Sequence, residues 1–404
     1  MPTHEVVLAD SSAGLRDALA LLEGLETVGI DVERADWHRY WRSAALIQVG
    51  GAGRVALIDP LALPELGDLT RLLAERTCVL HAMENDLGPL SSLGIVPSVL
   101  EDTSIAAAML GLPLGLEVLL RDLLGVELTG DKSAMQRADW EARPLTEDML
   151  AYAAADVADL PALWTVLHER LRTGDREEWY RQELEAVRLL PPVEQRRAWT
   201  RTKGVGRLDS AAKARLRSLW DARERLARST DTAPSRIAAD KTLVDLAVRP
   251  PASRGELGRR GLRRGAVRSW GATLMEALRA PTEAGAHASS GNRAASGDHE
   301  RLSARVPTDQ ERALVDELRA IRSERAEELG IDPGVLCPSR TLLGAVLSAP
   351  ASSAELRDAL RLRPWQWEQL GDRFSVALAL DGDGRPGSPQ ARQPAARGSE
   401  HAHG

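Results

Sequence analysis

The feature that most constrains the fold is a change in hydrophobic periodicity about halfway along the chain. The first 180 residues alternate short apolar runs of strand length with segments in which leucines have helical spacing. From about residue 208 onward the apolar residues have helical spacing only. The strand-length runs are Val6–Leu8, Val28–Val32, Ala45–Val49, Val55–Ile58 and Cys78–Leu80, and the helical segments are Glu65–Arg76, Leu114–Leu124 and Thr146–Arg172. This pattern predicts an α/β domain followed by helical domains.

The last helical segment of the α/β region predicts one long helix. Thr146 is a good N-cap, and the acidic residues Glu147 and Asp148 suit the first turn. Pro161 would kink or split this helix.

Length and composition exclude several classes of protein. A chain of 404 residues predicts about two to four domains. It has no run of about 18 apolar residues, so we expect no membrane-spanning helix. The first residues lack a basic segment followed by an apolar one, so we expect no signal peptide and a cytoplasmic location. Cys78 and Cys337 are too few for a disulfide scaffold or a Cys-only zinc site.

Charge is distributed unevenly along the chain. Residues 1–200 carry a net charge of −15, residues 201–280 carry +11 and residues 281–404 carry −3. Basic residues are 48 Arg and 4 Lys, so the abundance of Arg is a composition bias and does not by itself indicate nucleic-acid binding. The position of the basic segment within an acidic chain does indicate a polyanion partner. The alternative is a solvated, Arg-rich helical surface.

Composition and repeats predict the domain boundaries. Leu219, Arg223 and Leu243 recur as Leu318, Arg322 and Leu342, at a constant offset of 99 residues. We therefore expect two copies of one small helical domain, with compositional coincidence as the alternative. The predicted organisation is an α/β domain at 1–180, helical domains at 208–280 and 307–379, a flexible linker at 281–306 and a disordered tail at 380–404.

Acidic residues follow two of the predicted strands. Asp31 and Glu33 end an apolar run at positions i and i+2, so on a strand both carboxylates point to one face. Asp86 follows Cys78–Leu80 and would lie in the first turn of the next helix. The alternatives are acids that face solvent after the strand has ended, and an acid that interacts with the helix dipole.

A tyrosine and an aspartate share one face of the long predicted helix. Tyr152 and Asp156 are separated by four positions, and the three residues between them are alanines, which let another element approach closely. A surface Tyr–Asp pair is the alternative.

The order of these residues resembles the DEDD superfamily of 3′→5′ exonucleases, in its DEDDy branch, and within it the ribonuclease D family. The resemblance covers residues 5–172 and implies a ribonuclease H-like α/β fold. The flanking motifs that carry it are Leu46-Ile47-Gln48, Leu57-Ile58-Asp59-Pro60, His81-Ala82 with Asp86-Leu87, Asp139-Trp140-Glu141-Ala142-Arg143-Pro144-Leu145, and Tyr152-Ala153 with Asp156-Val157.

The resemblance implies a catalytic set and two divalent ions, Mg²⁺ or Mn²⁺. Asp31 would bridge both ions, Glu33 and Asp156 would complete one site with the attacking water, and Asp86 would hold the second ion through waters. Two such ions, about 3.5–4 Å apart, clamp the attacking and leaving oxygens of an in-line phosphoryl displacement. Tyr152 would orient the water, and the product would be a nucleoside 5′-monophosphate.

The basic segment 208–280 is similar to the HRDC domain, a helical nucleic-acid-binding module. The similarity rests on Arg223-Glu224-Arg225-Leu226-Ala227, on Thr242-Leu243-Val244-Asp245-Leu246-Ala247, and on Pro250-Pro251-Ala252-Ser253 with Glu256-Leu257. Segment 307–379 would be a second copy that has lost the basic excess. Arg259-Arg260-Gly261 is more basic than the usual HRDC sequence, which leaves the packing there open. The predicted nucleic-acid contacts are Lys132, Arg259, Arg260, Arg263 and Arg264.

These resemblances imply a metal-dependent 3′→5′ exoribonuclease that acts on RNA 3′ ends, such as those of tRNA precursors or other structured RNA. They imply no membrane and no obligate protein partner. One alternative is a DNA 3′→5′ exonuclease acting on single-stranded DNA, because these motifs do not read the 2′-OH. Another is a non-catalytic nucleic-acid-binding protein with a nuclease fold.

Overall fold

The computed structural model describes residues 4–34, 38–41, 43–128, 132–135, 137–191, 197–279 and 307–380. The described residues of Met1–Arg305 and Gly330–Val335 form one compact unit, and those of Val306–Leu329 and Leu336–Gly404 form the other. The predicted linker at 281–306 and all but the first residue of the predicted tail at 380–404 lie outside the described residues. The domain boundaries stay predictions.

A six-stranded mixed sheet is the centre of the first unit. Its strand order is β1-β4-β3-β2-β5-β6. The strands are β1 (Glu5–Ala9), β2 (Thr27–Arg34), β3 (Ala44–Gly51), β4 (Arg54–Ile58), β5 (Thr77–Leu80) and β6 (Val99–Asp102). β3 runs antiparallel to its two neighbours, whereas β2, β5 and β6 are mutually parallel, so their carboxyl ends lie at the same edge. The five predicted strands are confirmed; β6 was not predicted, because its apolar run is only two residues long.

Helices lie between and after these strands in the chain. They are α1 (Ser12–Leu21), α2 (Gly67–Ala74), α3 (Leu87–Ser92), α4 (Thr103–Met109), α5 (Leu116–Leu124), α6 (Lys132–Met135), α7 (Glu147–Ala158), α8 (Leu160–Thr173) and α9 (Glu177–Arg188). The helices predicted at Glu65–Arg76 and Leu114–Leu124 are therefore present, each beginning two residues later than predicted.

The segment from Thr146 to Arg172 forms two helices, so of the kink or split predicted at Pro161 the split is observed. Thr146 does cap α7, since its hydroxyl accepts a hydrogen bond of 3.2 Å from the amide of Met149. α7 ends at Ala158 and α8 begins at Leu160. Pro161 lies in the first turn of α8, where its missing N–H leaves no helix hydrogen bond unmade.

These two helices bear on the expectation that the chain has no membrane-spanning helix. The stretch Glu147–Thr173 is long and apolar enough to cross a membrane by length and composition, and 44% of its most apolar window is buried. A core helix meets the same criteria. α7 packs on β2, β3 and β4, so the buried share of the stretch covers the sheet.

The rest of the first unit is helical. Its elements are α10 (Ser210–Ser229), α11 (Pro234–Ile237), α12 (Asp240–Val248), α13 (Arg254–Arg259) and α14 (Arg264–Arg279). Leu216, Leu219, Leu243 and Leu246, which have helical spacing in the sequence, are all buried in one core. Within residues 197–279 and 307–380 no strand is present, as predicted.

The basic lead into Gly261 does not disturb this packing. Gly261 has a φ of +95°, and the amide of Leu262 donates to the carbonyl of Leu257 at 3.1 Å, which ends α13 in the manner of a Schellman motif. Both leucines are buried.

The second unit contains most of a similar set of helices. Residues 307–380 form α15 (Asp309–Leu329), α16 (Pro333–Leu336), α17 (Ser339–Leu347), α18 (Ser353–Leu360) and α19 (Pro364–Ala377). Arg223 of α10 and Arg322 of α15 are both buried, and each donates to a carbonyl 15 residues further on and to a side chain 17 residues further on. The offset of 99 is therefore a repeat of structure as well as of sequence.

Candidate active site

Three carboxylates meet where β2 faces α7. Oxygens of Asp31, Glu33 and Asp156 all lie within 4.8 Å of one another. Asp31 and Glu33 share one face of β2, and the strand is irregular directly after them, where its pairing with β3 shifts between Glu33 and Arg34. The strand pair Asp31 and Glu33 and the helix pair Tyr152 and Asp156 therefore lie at one site.

Gly29 explains how the helix comes so close to the strand. It lies on the same face of β2 as Asp31 and Glu33, two residues earlier. A Cβ atom at Gly29 would lie 2.5 Å from the carbonyl oxygen of Val157 and 2.9 Å from the Cβ of Leu160. Contacts this short do not occur, so only glycine lets α7 lie against the strand at this distance.

Asp86 lines the same cavity but reaches it from β5. The chain leaves β5 at Leu80, passes through a 3-10 turn at Met83–Asn85 and enters α3, with Asp86 as the N-cap residue. The side chain of Asp86 is buried. The cavity has a volume of about 350 Å³ and is lined by Asp31, Val32, Glu33, Arg34, His81, Asn85, Asp86, Leu116, Trp140, Tyr152, Asp156 and Leu160. Asp86 is not a member of the compact group of three acids.

Tyr152 lies on α7, one helical turn before Asp156, and lines the same cavity. Its phenol donates a hydrogen bond to Asp156, and its ring centroid lies 6.3 Å from that of the buried Trp140. Burial and the negative charges of Asp156 and Glu33 raise the pKa of the phenol well above its usual range. Tyr152 therefore stays protonated and acts as a hydrogen-bond donor.

The acids repel one another strongly. Burial, followed by the charges of Asp31 and Asp156, raises the pKa of Glu33 from 4.5 to about 9. Burial and then Asp31 raise the pKa of Asp86 well above its usual range. Such a cluster is stable in its ionised form when a cation balances it, and clustered carboxylate oxygens are the ligands that Mg²⁺ and Mn²⁺ prefer. The oxygen ligands of this acidic group fit a divalent metal ion.

Two of the flanking motifs are joined by an ion pair whose carboxylate is buried. The guanidinium of Arg143 binds both oxygens of Asp59, at 2.5 and 2.8 Å, and it also donates to the carbonyl of Ala45 at 2.8 Å. Asp59 is only 3% exposed, and although burial opposes it, these bonds hold the pKa of the carboxyl below its usual range. The pair fastens the segment before α7 to the ends of β3 and β4.

Asp102, at the carboxyl end of β6, contacts the turn before Asp86 but was not among the predicted site residues. Its carboxylate accepts hydrogen bonds from the amides of Ala82 and Met83, which precede Asp86, and from the first turn of α4. An aspartate directly before a helical Thr-Ser-Ile-Ala segment was the available signal, since aspartate is a strong N-cap residue. Arg34 and His81 were also not assigned to the site, although both line the cavity.

The four arginines among the predicted nucleic-acid contacts are not part of this cavity. Arg259, Arg263 and Arg264 are exposed around the turn between α13 and α14. Arg260 is half-buried and lies 3.8 Å from Asp245. Lys132 is the first residue of α6, and its side chain lies outside the part of the chain that the structure describes.

Comparison with known families matches both regions of the chain. Residues 6–172 match the family model of a 3′-5′ exonuclease. The model of the HRDC domain matches twice, at residues 212–278 and 311–378.

Curated relatives match over much of their length. The ribonuclease D of Pseudomonas paraeruginosa is 31% identical over 359 residues, which cover 87% of this chain and 92% of the relative. The ribonuclease D of Zymomonas mobilis is 35% identical over 287 residues, which cover 67% of this chain and 71% of the relative.

A solved structure has the same fold. The crystal structure of Escherichia coli RNase D, described as an exoribonuclease involved in structured RNA processing, matches with a TM-score of 0.68 and 23% identity over 92% of this chain and 98% of that one. The predicted fold class, a ribonuclease H-like α/β domain followed by HRDC-type helical domains, is confirmed.

Proposed function

The chain belongs to the ribonuclease D family of 3′→5′ exoribonucleases, and from this premise we propose that it trims RNA in a metal-dependent reaction that releases nucleoside 5′-monophosphates. One observation carries the proposal. Asp31, Glu33 and Asp156 have oxygens within 4.8 Å of one another, beside the protonated phenol of Tyr152.

We assign these residues the following roles. Asp31, Glu33 and Asp156 would hold one divalent cation, and Asp86 would help to hold a second one. Bound Mg²⁺ or Mn²⁺ supplies a water of lowered pKa and neutralises charge on the transferred phosphoryl group. Tyr152 donates a hydrogen bond at the site and thereby orients the attacking water. Trp140 packs near the phenol ring and limits its movement.

Contacts within the first unit support RNA delivery by the first HRDC domain. Residues 38–41 follow the end of β2 after three intervening residues, and Asp231 accepts hydrogen bonds from the amides of Tyr40 and Trp41 at 3.1 and 3.0 Å. Arg39 forms an ion pair with the same carboxylate at 2.9 Å. The HRDC domain is therefore fastened next to the strand that carries Asp31 and Glu33.

A cleft lies beside these contacts. It has a volume of about 890 Å³ and is lined by residues of both regions, among them Arg39, Arg197, Arg201 and Asn85. Asn85 also lines the acidic cavity, so the two spaces share a wall. We propose that RNA enters through this cleft and that the basic HRDC surface, with Arg259, Arg260, Arg263 and Arg264, binds its phosphates; Lys132 would add a contact near the site. Precursors of tRNA and other structured RNAs, within the cytoplasm, are the proposed substrates.

The test is digestion of 5′-labelled single-stranded RNA with Mn²⁺ or Mg²⁺. We expect a ladder that shortens from the 3′ end, that EDTA abolishes, and that Asp156→Asn abolishes. Asp159→Asn is the matched control, because Asp159 lies three residues further on, between α7 and α8, and does not line the cavity. Equal loss in both variants, or a ladder that persists in EDTA, would contradict the proposed site.

A DNA substrate is the second candidate, since the cavity has no feature assigned to the 2′-OH. Matched RNA and DNA strands, digested side by side, decide between them. Faster trimming of DNA would contradict the proposal, and binding of RNA without trimming would favour the non-catalytic alternative.

A further inference from the structure

We propose that Asp102 is a positioning residue that fixes the turn carrying Asp86 and thereby sets the affinity of the site for the metal ion that Asp86 holds. This inference rests on the proposed function, because it assumes that Asp86 is a metal ligand. Asp102 was not among the predicted site residues, and it does not line the cavity.

The turn that carries Asp86 has an unusual backbone. Ala82 has a φ of +61°, in the left-handed region that side chains with a Cβ seldom occupy. A single 3-10 turn follows and ends directly at Asp86. A backbone of this kind persists only where the surrounding structure fixes it. Something outside the turn must therefore hold it.

Asp102 supplies that restraint. Its Oδ2 accepts a hydrogen bond of 2.7 Å from the amide of Met83, and its Oδ1 accepts one of 3.3 Å from the amide of Ala82. Both amides lie within four residues of Asp86. The carboxylate is 1% exposed, so these bonds are shielded from water and are stronger than they would be at the surface.

The two oxygens of Asp102 have separate partners. Oδ1 also caps α4, because it accepts from the amide of Ser104 at 2.7 Å, from the hydroxyl of Ser104 at 2.7 Å and from the amide of Ile105 at 3.0 Å. Among the described residues, Oδ2 accepts only from the amide of Met83, in the turn. The bond to Met83, the shorter of the two bonds to the turn, can therefore be removed by a single substitution that leaves Oδ1 in place.

Two further contacts hold the same region. Thr103 donates to the carbonyl of Leu80 at 3.1 Å, so its hydroxyl accepts from the Nδ1 of His81 at 2.9 Å. On the other side, Arg34 donates to the carbonyl of Asn85 at 3.1 Å. The turn is thus held between the ends of β6 and β2, and of these three residues Asp102 is the one whose side chain binds the amides of the turn.

Asp102→Asn isolates the positioning role. The amide oxygen can replace Oδ1 and keep the cap of α4, since asparagine is as good an N-cap residue as aspartate. The amide nitrogen then replaces Oδ2 and presents a donor to the N–H of Met83. The substitution removes the bond to Met83, the shorter of the two bonds to the turn, and keeps the bonds of Oδ1 to Ala82 and to the start of α4. Ser104→Ala is the matched control, because it removes one donor to Oδ1 and leaves the turn bonds in place.

The measurement is the binding of Mn²⁺ to RNA-free protein by isothermal titration calorimetry, together with thermal unfolding in EDTA. Substitution of residues that orient metal ligands lowers metal affinity by about 10- to 100-fold. We expect Asp102→Asn to weaken Mn²⁺ binding by about 10-fold, to raise the Mn²⁺ concentration for half-maximal RNA trimming by a similar factor, and to recover activity at saturating Mn²⁺. Ser104→Ala should bind Mn²⁺ as the unsubstituted protein does.

Each outcome is decisive. Unchanged Mn²⁺ affinity in Asp102→Asn, at a temperature where circular dichroism shows it folded, overturns the proposal. Equal weakening in Asp102→Asn and Ser104→Ala also overturns it, since the effect would then come from α4. If Asp102→Asn does not fold, Asp102→Glu, which keeps both acceptors on a longer side chain, must weaken Mn²⁺ binding more than Ser104→Ala for the proposal to stand. Absence of Mn²⁺ binding in the unsubstituted protein would instead overturn the proposed function.

Discussion

At the scale of single residues, the ionisation of Glu33 couples metal binding to stability. Burial and Asp31 raise its pKa from 4.5 to about 9, so between these pH values the native state keeps a proton that the unfolded chain has lost. The native state thus binds more protons, and the stability of the metal-free protein falls as the pH rises through this window.

We predict that Glu33→Gln flattens this dependence. Glutamine does not titrate, so the melting temperature in EDTA should fall less between about pH 5 and pH 9 than in the unsubstituted protein. Differential scanning calorimetry measures the effect. Glu23→Gln, at an exposed position, is the control and should keep the full decline. Mn²⁺ should raise the melting temperature of the unsubstituted protein and of Glu23→Gln, but not that of Glu33→Gln.

Tyr152 is the second residue whose role can be tested by a single substitution. Because its raised pKa keeps it protonated, it acts by donating a hydrogen bond rather than by accepting a proton. Tyr152→Phe should lower kcat by about 100-fold, at the lower end of what a positioned catalytic group contributes, while Mn²⁺ affinity and the melting temperature stay unchanged. Single-turnover trimming measures the rate. A loss of Mn²⁺ affinity would show that the phenol supports the ligands instead.

At the scale of secondary-structure elements, the close contact between β2 and α7 assembles the site. We predict that Gly29→Ala destabilises the protein by about 1–3 kcal/mol, because the new Cβ overlaps the carbonyl of Val157 and α7 must move. Mn²⁺ binding should weaken as well, since α7 carries Asp156. Gly67→Ala is the control, with no heavy atom within 4 Å of the added Cβ, and should change stability by less than about 0.5 kcal/mol. Denaturant unfolding in EDTA compares the two.

The elements also show what could be predicted from the sequence. Spacing placed Asp31 with Glu33 on a strand and Tyr152 with Asp156 on a helix, because these relations are local. Asp102 could not be predicted in the same way, since its bonds to Ala82 and Met83 join residues 19 and 20 positions apart through a strand with only two apolar residues. The long helical segment is divided at Asp159, with Pro161 in the first turn of the second helix. From the sequence alone, Pro161 was compatible with either a kinked helix or two helices.

At the scale of the whole molecule, negative and positive charges are concentrated in different regions of the chain. The region with the acidic site carries a net −15 and repels RNA at long range, whereas residues 201–280 carry +11. Under the proposed function we expect the helical region to capture RNA, and the carboxylate of Asp231 joins that region to the residues that follow β2. Such a division predicts that RNA affinity and catalytic rate respond to different substitutions.

Arg263 and Arg264 test this division. Both are exposed at the start of α14, and replacing both by glutamine should weaken RNA binding. For single-stranded RNA, each phosphate that the protein no longer neutralises reduces the slope of log K against log salt by about 0.7, so the slope of the double variant should be smaller by up to about 1.4. Fluorescence anisotropy with labelled RNA in EDTA, from about 50 to 200 mM salt, gives the slope. Arg71→Gln, an exposed change on α2, should leave it unaltered.

The cleavage rate of a dinucleotide is the second measurement, and it tests whether the same substitutions leave catalysis unchanged. It should be the same in the unsubstituted protein, the double variant and Arg71→Gln, because Arg263 and Arg264 line neither the acidic cavity nor the cleft beside it. An unchanged slope in the double variant would place the RNA-binding residues elsewhere on the basic surface. A slower dinucleotide rate would show that capture and cleavage are not separate.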